Sequence, residues 1–312
     1  MIRRFFLAFA ASALSIVIPV MALNVLVDPY GIHSNSMGLN FAGSERVFKI
    51  FAVRRVPHGG LLLGSSRMSY VDPAIISGAR LFNSAFSQAS LVEILTYLQR
   101  WAGQPDFVII GLDFYMMNES EDVPGYVSVL DKSVMSIMVD HALSWEAAHR
   151  SAEALIARAH GERPALQANG ARDAMVRNAE KALLPAEGQA DEYRESINWP
   201  ARSAYLRYRY TPSRIKILRQ IAQHLEDTKI RYAVVLGPVN QEFKKTAIDA
   251  NGLSDTFERW RRDMRDIFPD LYDFSYTYTD PSYFFPYDAG HFTPETGKLI
   301  IEPILAAAIT AR

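Results

Sequence analysis

Residues 5–27 are apolar almost without a break, interrupted only by Ser12, Ser15, Pro19 and Asn24. A helix needs about 20 such residues to cross the hydrocarbon core of a bilayer. This segment is long enough, so it is expected to form a retained transmembrane anchor, with the folded domain built from the rest of the chain. Arg3 and Arg4 precede the run and Asp28 follows it. The positive-inside rule then leaves the N-terminus in the cytoplasm and the remainder outside. A cleaved signal peptide, with Val20-Met21-Ala22 as its cleavage site, is the competing reading, but the run is longer than a usual signal core. A third reading is a buried core helix.

The chain has 312 residues, 33 basic and 34 acidic, for a net charge of -1. That length suits one large domain, or one domain with an insertion. The charge balance gives no pull toward nucleic acid. With no cysteine, disulfides, thiolate chemistry and cysteine metal sites are excluded. No ligand cluster or glycine-rich phosphate loop is apparent, so neither a metal nor an organic cofactor is expected.

Residues 28–43 are rich in Asp, Pro, Gly, Asn and Ser and read as a stalk or surface loop. A lead-in helix is expected over 45–56, with Val47, Phe48, Phe51 and Ala52 on one face. Its basic residues, Arg46, Lys49, Arg54 and Arg55, read as a solvated face. Short apolar runs follow at 60–64, 80–83, 106–112, 232–236 and, more weakly, 271–274. Continuous apolar strands imply burial on both faces, as in a parallel sheet. Helical patterns lie between them, at 90–101, 212–227 and 294–308. This alternation predicts an α/β, three-layer, doubly wound domain with its site at the carboxyl ends of the strands. Residues 119–205 break the rhythm and read as a helical insertion that overhangs that edge. The expected organisation is an anchor (1–27), a stalk and lead-in helix (28–59), and the α/β domain (60–312) carrying the insertion.

Four stretches could do chemistry. Gly64-Ser65-Ser66-Arg67 follows the first strand, where a serine at a strand-to-helix turn has an exposed hydroxyl. Ser-Ser pairs are also ordinary turn residues. Asp288 and His291 stand three apart in what reads as a loop before the last helix. A serine nucleophile needs a base, and the base needs an orienting carboxylate. The plain alternative is a turn aspartate and a surface histidine. Asn83 to Gln88, after the second strand, and Gly111 to Phe114, after the third, could present donors to an oxyanion. Arg67 could bind a substrate anion or pin its own loop to a backbone carbonyl. Tyr115 and Asn118 are further candidates for the cleft. The aromatic cluster Tyr276, Tyr278, Tyr283, Phe284, Phe285 and Tyr287 could stack on sugar rings, with ordinary packing as the default.

Together these stretches resemble the SGNH (GDSL-type) hydrolase superfamily. Gly64-Ser65-Ser66 is similar to its Gly-Asp-Ser block, Asn83 to Ser87 to its Asn-x-x-x-Ser-Gly block, and Asp288 with His291 to its Asp-x-x-His block. The resemblance covers residues 60–118 and 213–310 and omits the insertion. It implies a flavodoxin-like strand order and a catalytic set of Ser66, His291 and Asp288. Asn83, Ser87, Gln88, Asp113 and Arg67 are then candidates for oxyanion or substrate binding. Two positions depart from the pattern. Gln88 stands where the superfamily has a glycine, and Asp113 where it has an asparagine. An ionised carboxylate cannot donate to an oxyanion, so Asp113 must point elsewhere or leave the site one donor short.

More narrowly, the Gly-Ser-Ser block and His291-Phe292-Thr293-Pro294 resemble the membrane-tethered branch acting in lipoteichoic-acid D-alanylation and alginate O-acetylation. That resemblance implies a single-pass protein of the bacterial inner membrane with a periplasmic domain. It implies a serine esterase or O-acyltransferase acting on acyl esters of an envelope polysaccharide or on a small ester, beside a membrane-bound O-acyltransferase. The alternative is a catalytically inactive relative that binds a glycan or a partner in an envelope modification or export complex.

Overall fold

The computed structural model describes residues 2–33, 45–119 and 127–310. Most of the expected stalk, residues 34–43, lies outside the described residues. The chain opens with α1 (Ile2–Val27), a single helix long and apolar enough to cross a membrane. Its side chains are exposed along most of its length. Residues 28–33 do not form a loose stalk. Asp28 turns the chain at φ 51°, and its carboxylate accepts from the amides of Ile32 (2.7 Å) and His33 (2.9 Å). Arg55 then clamps the turn by donating to the carbonyls of Gly31 and Ile32.

After α2 (Glu45–Ala52) come β1 (Gly60–Leu63), the short α3 (Ser66–Ser69), β2 (Leu81–Asn83), α4 (Leu91–Arg100) and β3 (Phe107–Leu112). Five helices follow: α5 (Val127–Asp131), α6 (Val134–Ala142), α7 (Trp145–Ala159), α8 (Ala174–Ala182) and α9 (Ala186–Arg202). The sheet resumes through α10 (Pro212–Asp227), β4 (Arg231–Leu236), α11 (Gln241–Phe243), α12 (Ser254–Ile267) and β5 (Leu271–Asp273). A two-stranded ribbon, β6 (Phe284–Phe285) with β7 (Asp288–Phe292), leads into the last helix, α13 (Pro294–Thr310).

The five main strands are parallel, in the order β2-β1-β3-β4-β5. This is a doubly wound α/β order, in which a ligand crevice opens beyond the carboxyl ends of the strands. Alternate residues of one strand serve opposite faces. Leu61, Leu63, Val108, Ile110, Val234 and Leu236 pack toward α2, α4, α10 and α12. Leu62, Ile109, Ala233 and Val235 pack toward α3 and α13. Both faces are covered, which is why the strands read as unbroken apolar runs rather than as an alternation.

The basic residues of α2 depart from the expected solvated face. Lys49 is fully buried and donates to the Ala85 carbonyl. Arg46 pairs with the equally buried Glu93 at 2.6 Å. Burial pushes the Lys49 ammonium from its ordinary 10.5 down to about 8, against the opposing pull of Glu45. Between these values the unfolded chain holds more protons than the folded one, so stability must rise with pH across that window. The penalty of the buried charge is present in full below about 8 and is gone above 10.5. In detergent micelles, the urea stability of the wild type relative to Lys49→Met is expected to climb by about 3 kcal/mol over this interval. A difference that stays flat with pH would refute the assignment.

Candidate active site

The turn that follows β1 is built around Gly64. Its φ of +142° suits glycine, and a Cβ there would lie 2.8 Å from the Gly111 carbonyl of β3. The turn therefore closes against the sheet and delivers Ser65 and Ser66 just beyond the end of β1. Ser65 caps α3, its hydroxyl accepting from the Arg67 amide at 3.1 Å. Ser66, the first residue of α3, faces the cleft.

The structure brings Ser66, His291 and Asp288 together. The Ser66 hydroxyl lies 2.8 Å from His291 Nε2, and His291 Nδ1 lies 2.8 Å from Asp288 Oδ2. A carboxylate only accepts, so Asp288 fixes the tautomer with hydrogen on Nδ1 and leaves the Nε2 lone pair for the serine. Asp288 and His291 sit on β7, not in a loop. The extended backbone and a 2.8 Å bond from the Gly290 amide to Asp288 Oδ1 hold the carboxylate. Burial pushes the Asp288 carboxyl up, but the His291 ring and the Arg177 guanidinium outweigh it and hold it well below the usual carboxylate range.

Arg177, on α8 of the insertion, was not singled out from the sequence. It donates to Asp288 Oδ2, and its guanidinium lies within 5.4 Å of the ring centroids of Tyr70, Phe285 and Tyr287. Those last two rings come from the aromatic cluster before Asp288; they cage the arginine. No local pattern marked Arg177, because α8 buries none of its residues.

The candidate donor residues separate. Asn83 is fully buried below the turn, where its amide donates to the Met68 and Val71 carbonyls at 2.8 Å each. Ser87 is tied away from the cleft: its amide bonds Glu45, its carbonyl accepts from Arg46, and its hydroxyl accepts from Arg172. Asn118 likewise serves the backbone, bonding the Ala204 carbonyl and the Arg209 amide. Gln88 does line the cleft, at φ 51°. It thus occupies the left-handed conformation that glycine takes most readily. Tyr115 also lines the cleft, with its hydroxyl on the Ala89 carbonyl at 3.0 Å.

Asp113 points at its own neighbours. One oxygen accepts from the Ser65 hydroxyl and the other pairs with Arg67 at 2.8 Å. Arg67 in turn donates to the Pro238 carbonyl and lies over the Phe292 ring. Arg67 therefore pins the loop, and Asp113 carries a compensated charge. Breaking such a buried pair costs about 3–5 kcal/mol, because the remaining ion is left uncompensated. Asp113→Leu is expected to lose about that much in urea unfolding, and Asp113→Asn, which keeps an acceptor, clearly less. A loss below about 1 kcal/mol for the leucine variant would show that the pair is an exposed one in solution.

The triad opens into a cavity of about 680 Å³. Ser66 of α3, Gln88 and Asp113 of the strand-end loops and His291 of β7 line one side of it. Its far wall is the insertion, with Arg177, Lys181, Glu192 and Trp199. Ser196 of α9 closes the seam by accepting from the Ala289 amide at 2.9 Å. On the other side, the insertion is tied to the sheet edge: the Asn83 backbone N–H donates to the Asn169 carbonyl at 2.8 Å, and a Cβ on Gly170 would fall 2.1 Å from the Asn83 backbone carbonyl oxygen. Among the described residues, no group of three or more His, Asp or Glu side chains is placed to hold a metal ion. No protein-family model and no curated protein sequence matches the chain.

Proposed function

We propose that this protein is a membrane-anchored serine esterase or O-acyltransferase of the SGNH type. The observation that carries the reading is the unbroken path from the Ser66 hydroxyl through His291 to a buried, ionised Asp288. Ser66 attacks an ester carbonyl carbon while its proton passes to His291 Nε2. The carbon–oxygen bond of the ester then breaks, and His291 returns the proton to the departing alkoxide. Water, or a hydroxyl of a polymer, repeats the sequence on the acyl-serine and releases Ser66. The backbone amides of Ser66 and Gln88, two residues that line the cleft, are the donors assigned to the oxyanion. Because Asp113 is paired with Arg67, its charge is held in place by the loop and does not bar this chemistry.

The apolar α1 and its flanking arginines support an inner-membrane protein of a bacterium, with the domain on the outer side. The acyl ester of an envelope polysaccharide is the substrate class assigned to it, with a membrane-bound O-acyltransferase as partner. A fluorophosphonate probe tests the core of this reading. Ser66 Oγ should displace fluoride from phosphorus, leaving one adduct on the peptide that contains Ser66, and His291→Ala should slow its formation. Labelling that is absent, or equally fast without His291, would overturn it.

A further inference from the structure

The insertion does more than wall the cleft, because its α6–α7 corner is packed on the last turns of α1. Val20, Leu23, Asn24 and Val27 turn toward it, spaced as one stripe of a helix. Asn24 is buried there, its amide donating to the carbonyls of Ala142 (3.0 Å) and Ser144 (2.9 Å). Leu23 and Val27 meet Ala154 of α7.

The length of α1 fixes the depth of this corner. Residues 5–19 measure only about 22 Å as a helix at 1.5 Å per residue, whereas the hydrocarbon core is about 30 Å thick. If α1 spans the membrane, hydrocarbon must extend past Val20, to the level of Asn24. Lipid would otherwise surround a primary amide without partners; the corner supplies those partners. On the same turns α1 exposes Met21, Val25 and Leu26. The corner itself presents Met135, Val139, Leu143 and Trp145 outward, the first 67 % and the last 76 % exposed. Met135, Val139 and Leu143 follow one another at four-residue spacing, so they form a single strip. A tryptophan beside such a strip suits the boundary between acyl chains and headgroups.

We infer that the α6–α7 corner is a second membrane contact, seated in the outer-leaflet interface against the exit of α1. The inference rests on α1 being a membrane span. The lack of native cysteine makes the test direct. Val139→Cys, Leu143→Cys and Trp145→Cys are spin-labelled in the full chain and reconstituted into phosphatidylcholine–phosphatidylglycerol vesicles. Leu14→Cys, within α1, and Leu183→Cys, exposed at the end of α8, serve as references. Collisions with oxygen should exceed those with nickel-EDDA at 139, 143 and 145, as at 14, and the order should reverse at 183. Water-like values at the three corner positions with a lipid-like value at 14 would overturn the inference while leaving the span intact. Water-like values at 14 as well would overturn the span and the corner together.

Discussion

Replacing Ser66 with alanine should abolish turnover of p-nitrophenyl esters by the full-length protein in detergent. Removal of the nucleophile from an intact triad lowers kcat by about 10⁴- to 10⁶-fold, because every later step depends on the covalent intermediate. The adjacent serine provides the internal control. Ser65 faces Asp113 and caps α3, so Ser65→Ala should cost about 1 kcal/mol in stability and leave the chemistry running. If Ser66→Ala hydrolyses the ester as fast as the wild type, the 2.8 Å approach to His291 has no catalytic meaning and the proposed function fails.

Asp288→Asn should be almost as damaging, lowering kcat by about 10⁴-fold with little change in fold. An amide at this position can donate to Nδ1, which moves the imidazole hydrogen to Nε2 and turns it against the serine. The wild-type carboxylate is held ionised by His291 and Arg177 despite its burial. Its folded value lies below the ordinary 3.8, so its contribution to stability is complete above that pH and is lost only as pH falls further. Activity that declines near neutrality must therefore come from another group. A full kcat for Asp288→Asn, measured with saturating ester across pH 5 to 9, would remove Asp288 from the mechanism.

The parts of this site that could be read from the sequence are those where chemistry or burial dictates residue type locally. The β1, β3 and β4 segments read as buried strands because helices cover both faces of the sheet. Ser66, Asp288 and His291 stood out because a proton relay accepts few residue types, and each lay beside a recognisable strand end or helix start. What could not be read depends on contacts across the chain. Asp113 looked like a flaw in the oxyanion site until Arg67, distant in sequence, was placed on its carboxylate. Lys49 looked solvated because a charged residue on a short amphipathic helix usually is; its burial depends on the Ala85 carbonyl and on Glu45. Arg177 carried no signal, since its value to the site lies in three rings and a carboxylate contributed by other segments. Ser87 and Asn83 matched the pattern of a donor loop but are used to hold that loop in shape.

Under the proposed function, the turn at residues 28–33 fixes how far this protein can act from the membrane. Asp28 folds the chain back at once and Arg55 fastens it to the body, so the domain begins where α1 ends. A catalyst on a long flexible arm could sweep through the envelope and meet its polymer anywhere within reach. With α1 as the proposed span, this domain stands at a set height, and the ester substrate of the proposed enzyme has to be brought to the bilayer surface, by a neighbour in the membrane or by a chain still emerging through it.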